Sequence, residues 1–451
     1  MTHMEAQEKT ASFETAACIV RRLRQAGYEA YLVGGCVRDL LLKKSPLDYD
    51  IVTSARPEEI QSIFFRTVPV GIRFGVILVI EDDHPYEVAT FRTEDDYTDG
   101  RRPSRVAFSS AREDILRRDF TINGLLMDPD TREVIDYVNG RADIKRRVIQ
   151  TVGDPQQRFS EDYLRMLRAV RFAAALNFRI APQTFAAIRQ HAHAIEYISA
   201  ERIREELTRI LTQGGARYGL ELLNDTGLLS LALPEVDALR GVEQPPQFHP
   251  EGDVWEHTLR MLALMPAGAD ERLAWAVLMH DLGKASTRSE DESGVHFYGH
   301  VRKSEETAEA VIRRLRFSRD AMDTILELIR HHMVFMNVPQ MRPSRLKRFL
   351  RMDNFDLHLE LHRLDCLGSH GFLDNYEFCR TKLTEFAKDD LRPPRLISGD
   401  DLIEMGLKPG PLFSKILRSV EDAQLNGEIT TSQNAKKWVS ERYLYTAHGN
   451  S

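Results

Sequence analysis

The segment Tyr31–Ile60, YLVGGCVRDLLLKKSPLDYDIVTSARPEEI, joins a strand-like run, a double glycine, an arginine and two alternating aspartates. Its pattern predicts a strand that runs into Gly34-Gly35 and then a helix beginning near Val37. Glycines at such a turn let backbone N–H groups approach a ligand, and a helix N-terminus favours phosphate. Arg38 adds a fixed positive fork. A plain strand-to-helix turn is the commoner explanation of a lone Gly-Gly. The aspartates shift that balance. In LDYDIV, Asp48 and Asp50 are two apart, so on a strand both carboxylates share one face while Tyr49 turns away. Carboxylates held that way suit Mg²⁺, which takes hard oxygen ligands alongside substrate phosphates. Glu87, in the strand-like YEVATF, is a third candidate. A two-metal site activates an attacking hydroxyl and neutralises a leaving pyrophosphate. An exposed DxD at a strand start is the bland alternative.

Outward from this segment, residues 13–28 carry amphipathic helical spacing, and EAYLV, YDIVT, GVILVI and YEVATF are short β-branched runs between turn signals. From about residue 155 the spacing becomes helical and stays so to the end. The expected fold is α+β: a mixed-sheet head over 1–150, then an all-α remainder. Pro245-Pro246 and Pro393-Pro394 are the clearest linker signals. Hydrophobic residues make up 42% and charged residues 29%, an ordinary globular balance that argues against wholesale disorder. No apolar run approaches a membrane span, and MTHMEAQEKTASFETAA lacks the features of a signal peptide. The four cysteines, Cys18, Cys36, Cys366 and Cys379, form no CxxC pair, which fits a reducing cytoplasm. A net charge of -7 means that any nucleic-acid partner must be held by local basic patches.

Two further motifs extend the head. If RRDFTINGLLMD is helical, Asp119 and Asn123 share a face and reach a ribose while Arg118 reaches a triphosphate; a capped helix with a surface ion pair is the alternative. In SEDYLRMLRAVRF, Asp162, Arg165, Arg168 and Arg171 recur at spacings of three, near one helical stripe. Such a stripe is usually a solvated face with an internal Asp–Arg pair. Here Leu164, Met166, Leu167, Ala169, Val170 and Phe172 surround it, so part of the helix must be buried near these charges. Buried arginines without a polyanion would be costly.

GGCVRD, LDYD, RRDFTIN and EDYLRMLRAVRF, in this order and spacing, resemble the bacterial class II tRNA nucleotidyltransferase/poly(A) polymerase family over about residues 25–235. The resemblance implies a nucleotidyltransferase head (1–150), a helical neck (151–235), a body (236–390) and a tail (391–451). It makes Gly35 and Arg38 nucleotide-binding, beside Gly34 of the same turn, Asp48 and Asp50 Mg²⁺ ligands, and Arg118 a phosphate contact. Asp162, Arg165, Arg168 and Arg171 become the residues that read the incoming base and hold its triphosphate. The base reading has its own physical logic. C and A each present an exocyclic amine donor beside a ring-nitrogen acceptor; Asp only accepts and Arg only donates, so one Asp/Arg pair accepts both and opposes U and G. The motif's commonest form, EDPLR, has proline where this chain has Tyr163. RTEDDYTDGRRPSRVAFSSAREDIL resembles the segment kept by members that add the final A, and ISGDDLIEMGLKPGPLFSKILRSVEDAQLNGEI resembles their tail.

A second constellation runs through DVWEHTLRM, LMHDLGKAST, FYGHVRKSEE, IRHHMVF and HRLDCLGSHG. Mixed imidazole and carboxylate groups suit a divalent transition metal, whereas any one of these histidines alone reads as a packed residue. The pattern resembles the HD phosphohydrolase superfamily. That likeness implies His257, His280, Asp281 and Asp365 as metal ligands, with His300 and either His331 or His332 at a second metal or at phosphate. A decayed, structural version of the domain is the alternative. Beyond it, Arg342, Arg345, Lys347, Arg348 and Arg351 crowd MRPSRLKRFLR; the default is a solvated helix face, the alternative a tRNA backbone contact.

Together these readings give a template-independent, Mg²⁺-dependent transferase adding CMP and AMP from CTP and ATP to the 3′ end of tRNA, with no membrane and no stable protein partner. An A-adding-only enzyme and a poly(A) polymerase share the motifs. From another class, the HD-type hydrolase would carry the main activity.

Overall fold

A computed structural model of the chain describes residues 11–97, 103–247, 249–386 and 391–444. The chain forms two compact units, Met1–Asp237 with two short later segments (Met265–Ala269 and Arg313–Phe317), and Ala238 to the C-terminus without them.

In the first unit the amphipathic helix Phe13–Gln25 buries Ala16, Ala17, Ile19, Val20 and Leu23. The strands are β1 (Ala30–Val33), β2 (Asp50–Thr53), β3 (Thr67–Gly71), β4 (Val76–Glu81), β5 (His84–Thr90), β6 (Arg92–Tyr97), β7 (Pro103–Phe108), β8 (Leu125–Met127) and β9 (Val134–Asp136). Seven make one sheet in the order β3-β4-β5-β2-β1-β8-β9, and β6 pairs with β7 apart from it. β2 and β5 run parallel while the other neighbours in the sheet run antiparallel, so the sheet is mixed. The segment Arg92–Leu116, likened above to the part kept by A-adding members, contains this β6–β7 hairpin; its residues 98–102 lie outside the described residues. β3 and β6 to β9 were not signalled by sequence: β3 exposes its central residues, and β8 and β9 are three residues long.

The remainder is helical with small exceptions. Val148–Ile149 pairs with Arg179–Ile180, and Ser289–Asp291 with Gly294–His296, so the expected all-α remainder carries two short two-stranded pairings. The helix Leu164–Leu176 buries ten of its residues, Arg165 and Arg171 among them. Among the described residues no helix is long and apolar enough to cross a membrane. Cys18 is exposed, while Cys36, Cys366 and Cys379 are buried; all four are free thiols.

Candidate active site and metal centre

β1 hands over to Gly34, whose φ of +77° suits glycine, and the helix begins at Gly35 rather than near Val37. A Cβ on Gly34 would lie 3.2 Å from Arg118 Nη1, so the missing side chain is what lets Arg118 cross the turn. Arg118 itself leans on the buried Asp114, which also holds Arg117; sequence reasoning missed that aspartate.

Asp48 lies in the loop before β2 and is exposed, so the expected strand alternation starts only at Asp50. Tyr49 does turn away, buried edge-on against Phe13 at 5.9 Å between ring centres. The parallel register Ile51↔Val88 puts Asp50 beside Glu87, which projects from β5 into solvent. Burial, then the charge of Glu87, push the Asp50 carboxyl up to about 6; Arg118 opposes this and Asp48 adds to it. A divalent cation relieves crowding of this kind, so the Asp50–Glu87 pair suits one, but the ligating oxygens of Asp48, Asp50 and Glu87 are not gathered within 4.8 Å of one another.

The region RRDFTIN is not an α-helix. A single 3-10 turn, Thr121–Asn123, precedes β8. It nonetheless brings Asp119 and Asn123 together, because Asn123 Nδ2 donates to Asp119 Oδ1 at 3.2 Å. From there a chain of contacts links the Gly-Gly helix to the helix Leu164–Leu176. Arg38 Nη1 donates to Asn123 Oδ1 at 2.7 Å. Arg168 donates twice to Asp119 Oδ2, at 2.9 and 2.7 Å. Arg171 Nε donates to Glu206 Oε2 at 2.6 Å, and Arg168 lies 3.8 Å from the same carboxylate. Burial works to raise the Asp119 carboxyl, but Arg168 outweighs it and holds the group at about 2. Under these arginines lies the ring of Phe172, its centre 5.3, 5.3 and 4.1 Å from the guanidinium carbons of Arg38, Arg168 and Arg171. Ring faces attract cations at such distances.

Asp162 leaves the expected stripe. It is the extended residue between the helices Pro155–Glu161 and Leu164–Leu176, with φ -152° and ψ 106°. Its partner is Arg202, at 2.7 and 3.2 Å, rather than an arginine of its own helix. Arg165 instead donates to Glu161 Oε2 at 2.5 Å and to the Arg158 carbonyl at 2.9 Å. The buried arginines therefore need no external polyanion: Glu161 and the buried Glu206 neutralise them from within. Glu206 and Arg202 carried no signal, because each lies dozens of residues from its partner.

In the second unit, His257 projects from the helix Val254–Leu264 and Asp365 from Phe355–Gly368. His280 caps the end of Glu271–Met279, so the His-Asp pair follows a helix rather than lying within one. The ligating atoms of His257, His280 and Asp365 lie within 4.8 Å of one another, and so do those of Asp281, His300 and His332. The second trio resolves the histidine left open by sequence: His332 joins it, while His331 turns its Nδ1 to the Glu327 carbonyl. His257 Nε2, His280 Nε2, Asp281 Oδ1 and His300 Nε2 are buried without a well-aligned hydrogen bond, His257 Nε2 standing 3.1 Å from Asp365 Oδ1 and His280 Nε2 3.2 Å from Asp281 Oδ2. Unsatisfied donors and acceptors of this kind are costly unless a further group completes them, so these residues fit a metal. Glu251, missed by sequence, accepts from His257 Nδ1 at 2.8 Å and so aims Nε2 inward. The glycine of HDLGK has a packing reason, since a Cβ on Gly283 would meet the His300 carbonyl oxygen at 2.3 Å. A cavity of about 370 Å³ opens beside the cluster, lined by Lys284, Phe297, Tyr298 and Met336 among others.

Of the basic residues in MRPSRLKRFLR, Arg342 and Arg345 are exposed. Lys347 lies 5.1 Å from the centre of the Phe386 ring. Arg348 and Arg351 turn inward onto Glu421, each at 2.5 Å, and thus hold the helix Pro411–Leu425 rather than facing solvent as phosphate contacts would.

Comparison with known proteins matches three family models to the chain: the poly A polymerase head domain over residues 30–150, the probable RNA and SrmB-binding site of polymerase A over 177–239, and the HD domain over 254–357. A CCA-adding enzyme of Streptococcus mutans is 32% identical over 435 residues, 96% of this chain and 98% of that protein. The chain belongs to the CCA-adding enzyme family. A CCA-adding enzyme of Levilactobacillus brevis is 50% identical over 226 residues, half of this chain and 57% of that protein, so the stronger likeness spans about half the length of each. The Bacillus stearothermophilus CCA-adding enzyme in complex with CTP is a solved structure with a TM-score of 0.74 and 31% identity, covering 97% of this chain and 99% of its own.

Proposed function

We propose that the chain adds CMP and AMP from CTP and ATP to the 3′ end of tRNA, releasing pyrophosphate, in the cytoplasm. The observation that carries this is the run of contacts Arg38–Asn123–Asp119–Arg168–Glu206–Arg171, which ties the Gly-Gly turn to the neck beside the Asp50–Glu87 pair. We assign residues 1–150 to the head, 151–235 to the neck, 236–390 to the body and 391–451 to the tail.

Asp48, Asp50 and Glu87 would hold Mg²⁺, which when bound supplies charge neutralisation at the attacking hydroxyl and the leaving pyrophosphate. Gly34 and Gly35 leave the backbone open to the triphosphate, and Arg38 and Arg118 meet its charge. Asp162 accepts from the exocyclic amine of C or A. Arg165, which gives Glu161 and the Arg158 carbonyl only part of its five N–H donors, addresses the ring nitrogen. U and G present the opposite polarity. Catalysis is then mostly positioning plus electrostatics. Within MRPSRLKRFLR, Arg342 and Arg345 are the exposed basic residues and would meet the tRNA backbone.

Incubation with tRNA ending before the CCA, using CTP alone, ATP alone and both, tests this reading. The expected result is two C residues with CTP and full CCA with both. Use of ATP only, and only on tRNA already ending in CC, would make it an A-adding enzyme. A second activity is favoured by the two ligand trios and their unpartnered atoms: the body site is a transition-metal phosphohydrolase. Asp50→Ala should abolish nucleotide addition and spare any phosphatase activity, and His280→Ala should do the reverse.

A further inference from the structure

Tyr163 stands directly after Asp162, at the break between Pro155–Glu161 and the neck helix. Its backbone has φ -61° and ψ -22°, the φ that a proline ring would fix. Asp162 before it is extended at φ -152°, the conformation that a proline imposes on its predecessor. No backbone N–H hydrogen bond of Tyr163 is present among the described residues, so nothing at this nitrogen excludes a proline. The position thus has proline's geometry without proline's covalent constraint, and some other constraint must supply it.

The side chain supplies one. The Tyr163 ring lies 6.1 Å from that of Tyr197 and 6.2 Å from that of His191, both tilted, at separations where aromatic pairs attract. The clamp is anchored on both sides of the break. His191 closes the helix Pro182–His191, and its Nε2 is 2.7 Å from Gln156 Oε1 in the helix that precedes Asp162. Gln156 Nε2 in turn donates to Gln190 Oε1 at 2.8 Å. Tyr163 is therefore gripped by a unit that also fixes the start of the preceding helix.

We propose that this aromatic clamp replaces a proline's restraint, and that Tyr163 is a positioning residue for nucleotide selection, acting through Asp162. The proposal rests on the reading of Asp162 as the base acceptor. Arg202 and the Leu164 N–H hold the Asp162 side chain; the ring acts instead on the backbone that follows it. Without the ring, residue 162 can take helical dihedrals more readily, which would merge the two helices and swing the carboxylate away from Arg202 and the base. With the ring in place, Asp162 stays extended, and its Oδ1 also caps the neck helix by accepting from Leu164 N at 3.1 Å.

The test measures incorporation of CMP against UMP, and of AMP against GMP, on tRNA lacking its terminal nucleotides, for Asp162→Ala, Tyr163→Ala, Tyr163→Pro and Tyr197→Ala. Thermal unfolding is recorded for each. Tyr197 is 70% exposed, so its substitution keeps the fold even if Tyr163→Ala does not. Tyr163→Ala and Tyr197→Ala should each lower both selectivity ratios by about tenfold or less, in line with the loss of one or two aromatic contacts, and Tyr163→Pro should recover the wild-type ratios. If Asp162→Ala relaxes selectivity while the two alanine variants at the clamp keep it, the clamp proposal is wrong and the base reading stands. The clamp proposal also fails if Tyr163→Pro selects as poorly as Tyr163→Ala. Wild-type selectivity in Asp162→Ala would remove the base reading itself, and the clamp's role with it.

Discussion

Asp119→Asn tests the contact chain that joins the Gly-Gly helix to the helix Leu164–Leu176. The substitution keeps the shape and leaves an oxygen to accept from Phe120 N and Asn123 Nδ2, but removes the charge that Arg168 pairs with. Holding this carboxyl at about 2 instead of 3.8 corresponds to about 2.5 kcal/mol of stability at neutral pH, taking roughly 1.4 kcal/mol per pH unit. Removing one partner of a buried pair sets an upper figure of roughly 3–5 kcal/mol, which here is moderated because the Arg168 side chain is 30% exposed and keeps Glu206 at 3.8 Å. Amide hydrogen exchange followed by mass spectrometry reads this locally. Peptides from Leu164–Leu176 should exchange faster by about 50–100-fold, the factor equivalent to that energy. Peptides from Phe355–Gly368 should not change. The pH dependence has a definite sign. A depressed carboxyl stabilises above its unfolded value near 4, and that stabilisation is lost as pH falls through about 2. In urea titrations the gap between wild type and Asp119→Asn should hold from pH 7 to about 4.5 and fall to about half near pH 3. Neck-helix exchange within twofold of wild type at pH 7 would refute the argument that this pair holds the neck.

Other consequences follow from the body. His332→Ala should lower the Mn²⁺ or Ni²⁺ retained after desalting, measured by elemental analysis, while His331→Ala retains it, since only His332 reaches the ligand trio. Gly283→Ala drives a Cβ to 2.3 Å from the His300 carbonyl oxygen and should cost about 1–3 kcal/mol in a thermal melt, with loss of bound metal. The double variant Arg342→Ala/Arg345→Ala should weaken tRNA binding and flatten its salt dependence by about one unit of slope per lost phosphate contact. Arg348→Ala, whose side chain is held by Glu421 and Asp422, should instead speed amide exchange in Pro411–Leu425 and leave the salt slope alone.

What the sequence made legible was local. Four strands, the Gly-Gly turn and the Asp50–Glu87 neighbourhood could be read because β-branched runs and turn residues act within a few positions. The HD residues were legible as a set because their chemistry is unusual, whatever their arrangement. What escaped depends on distant partners. Asp162 breaks its stripe because Arg202, forty residues on, and the Leu164 N–H hold it extended. Arg348 and Arg351 turn from solvent because Glu421 lies opposite, some seventy residues later. His331 and His332 are chemically identical in a string of letters; only where the helix ends decides which one faces inward.

The charge balance of the neck bears on how nucleotide selection works. Each arginine of the helix Leu164–Leu176 has an acid: Arg165 has Glu161, Arg168 has Asp119 and Arg171 has Glu206. On the proposed reading, a triphosphate entering between the Gly-Gly turn and this helix would not meet vacant cations. It would have to share or displace carboxylates that are well bound, so part of its electrostatic attraction would go into exchange. The return is geometric. Arginines fixed by Asp119 and Glu206 over the Phe172 ring hold their forks in one orientation, which, on the proposed reading, would lower the reorganisation needed when charge develops on the pyrophosphate. If Asp162 and Arg165 read the base as proposed, the same rigidity matters there: a loose pair would rotate to meet U or G, and the opposite polarity of those bases would no longer exclude them.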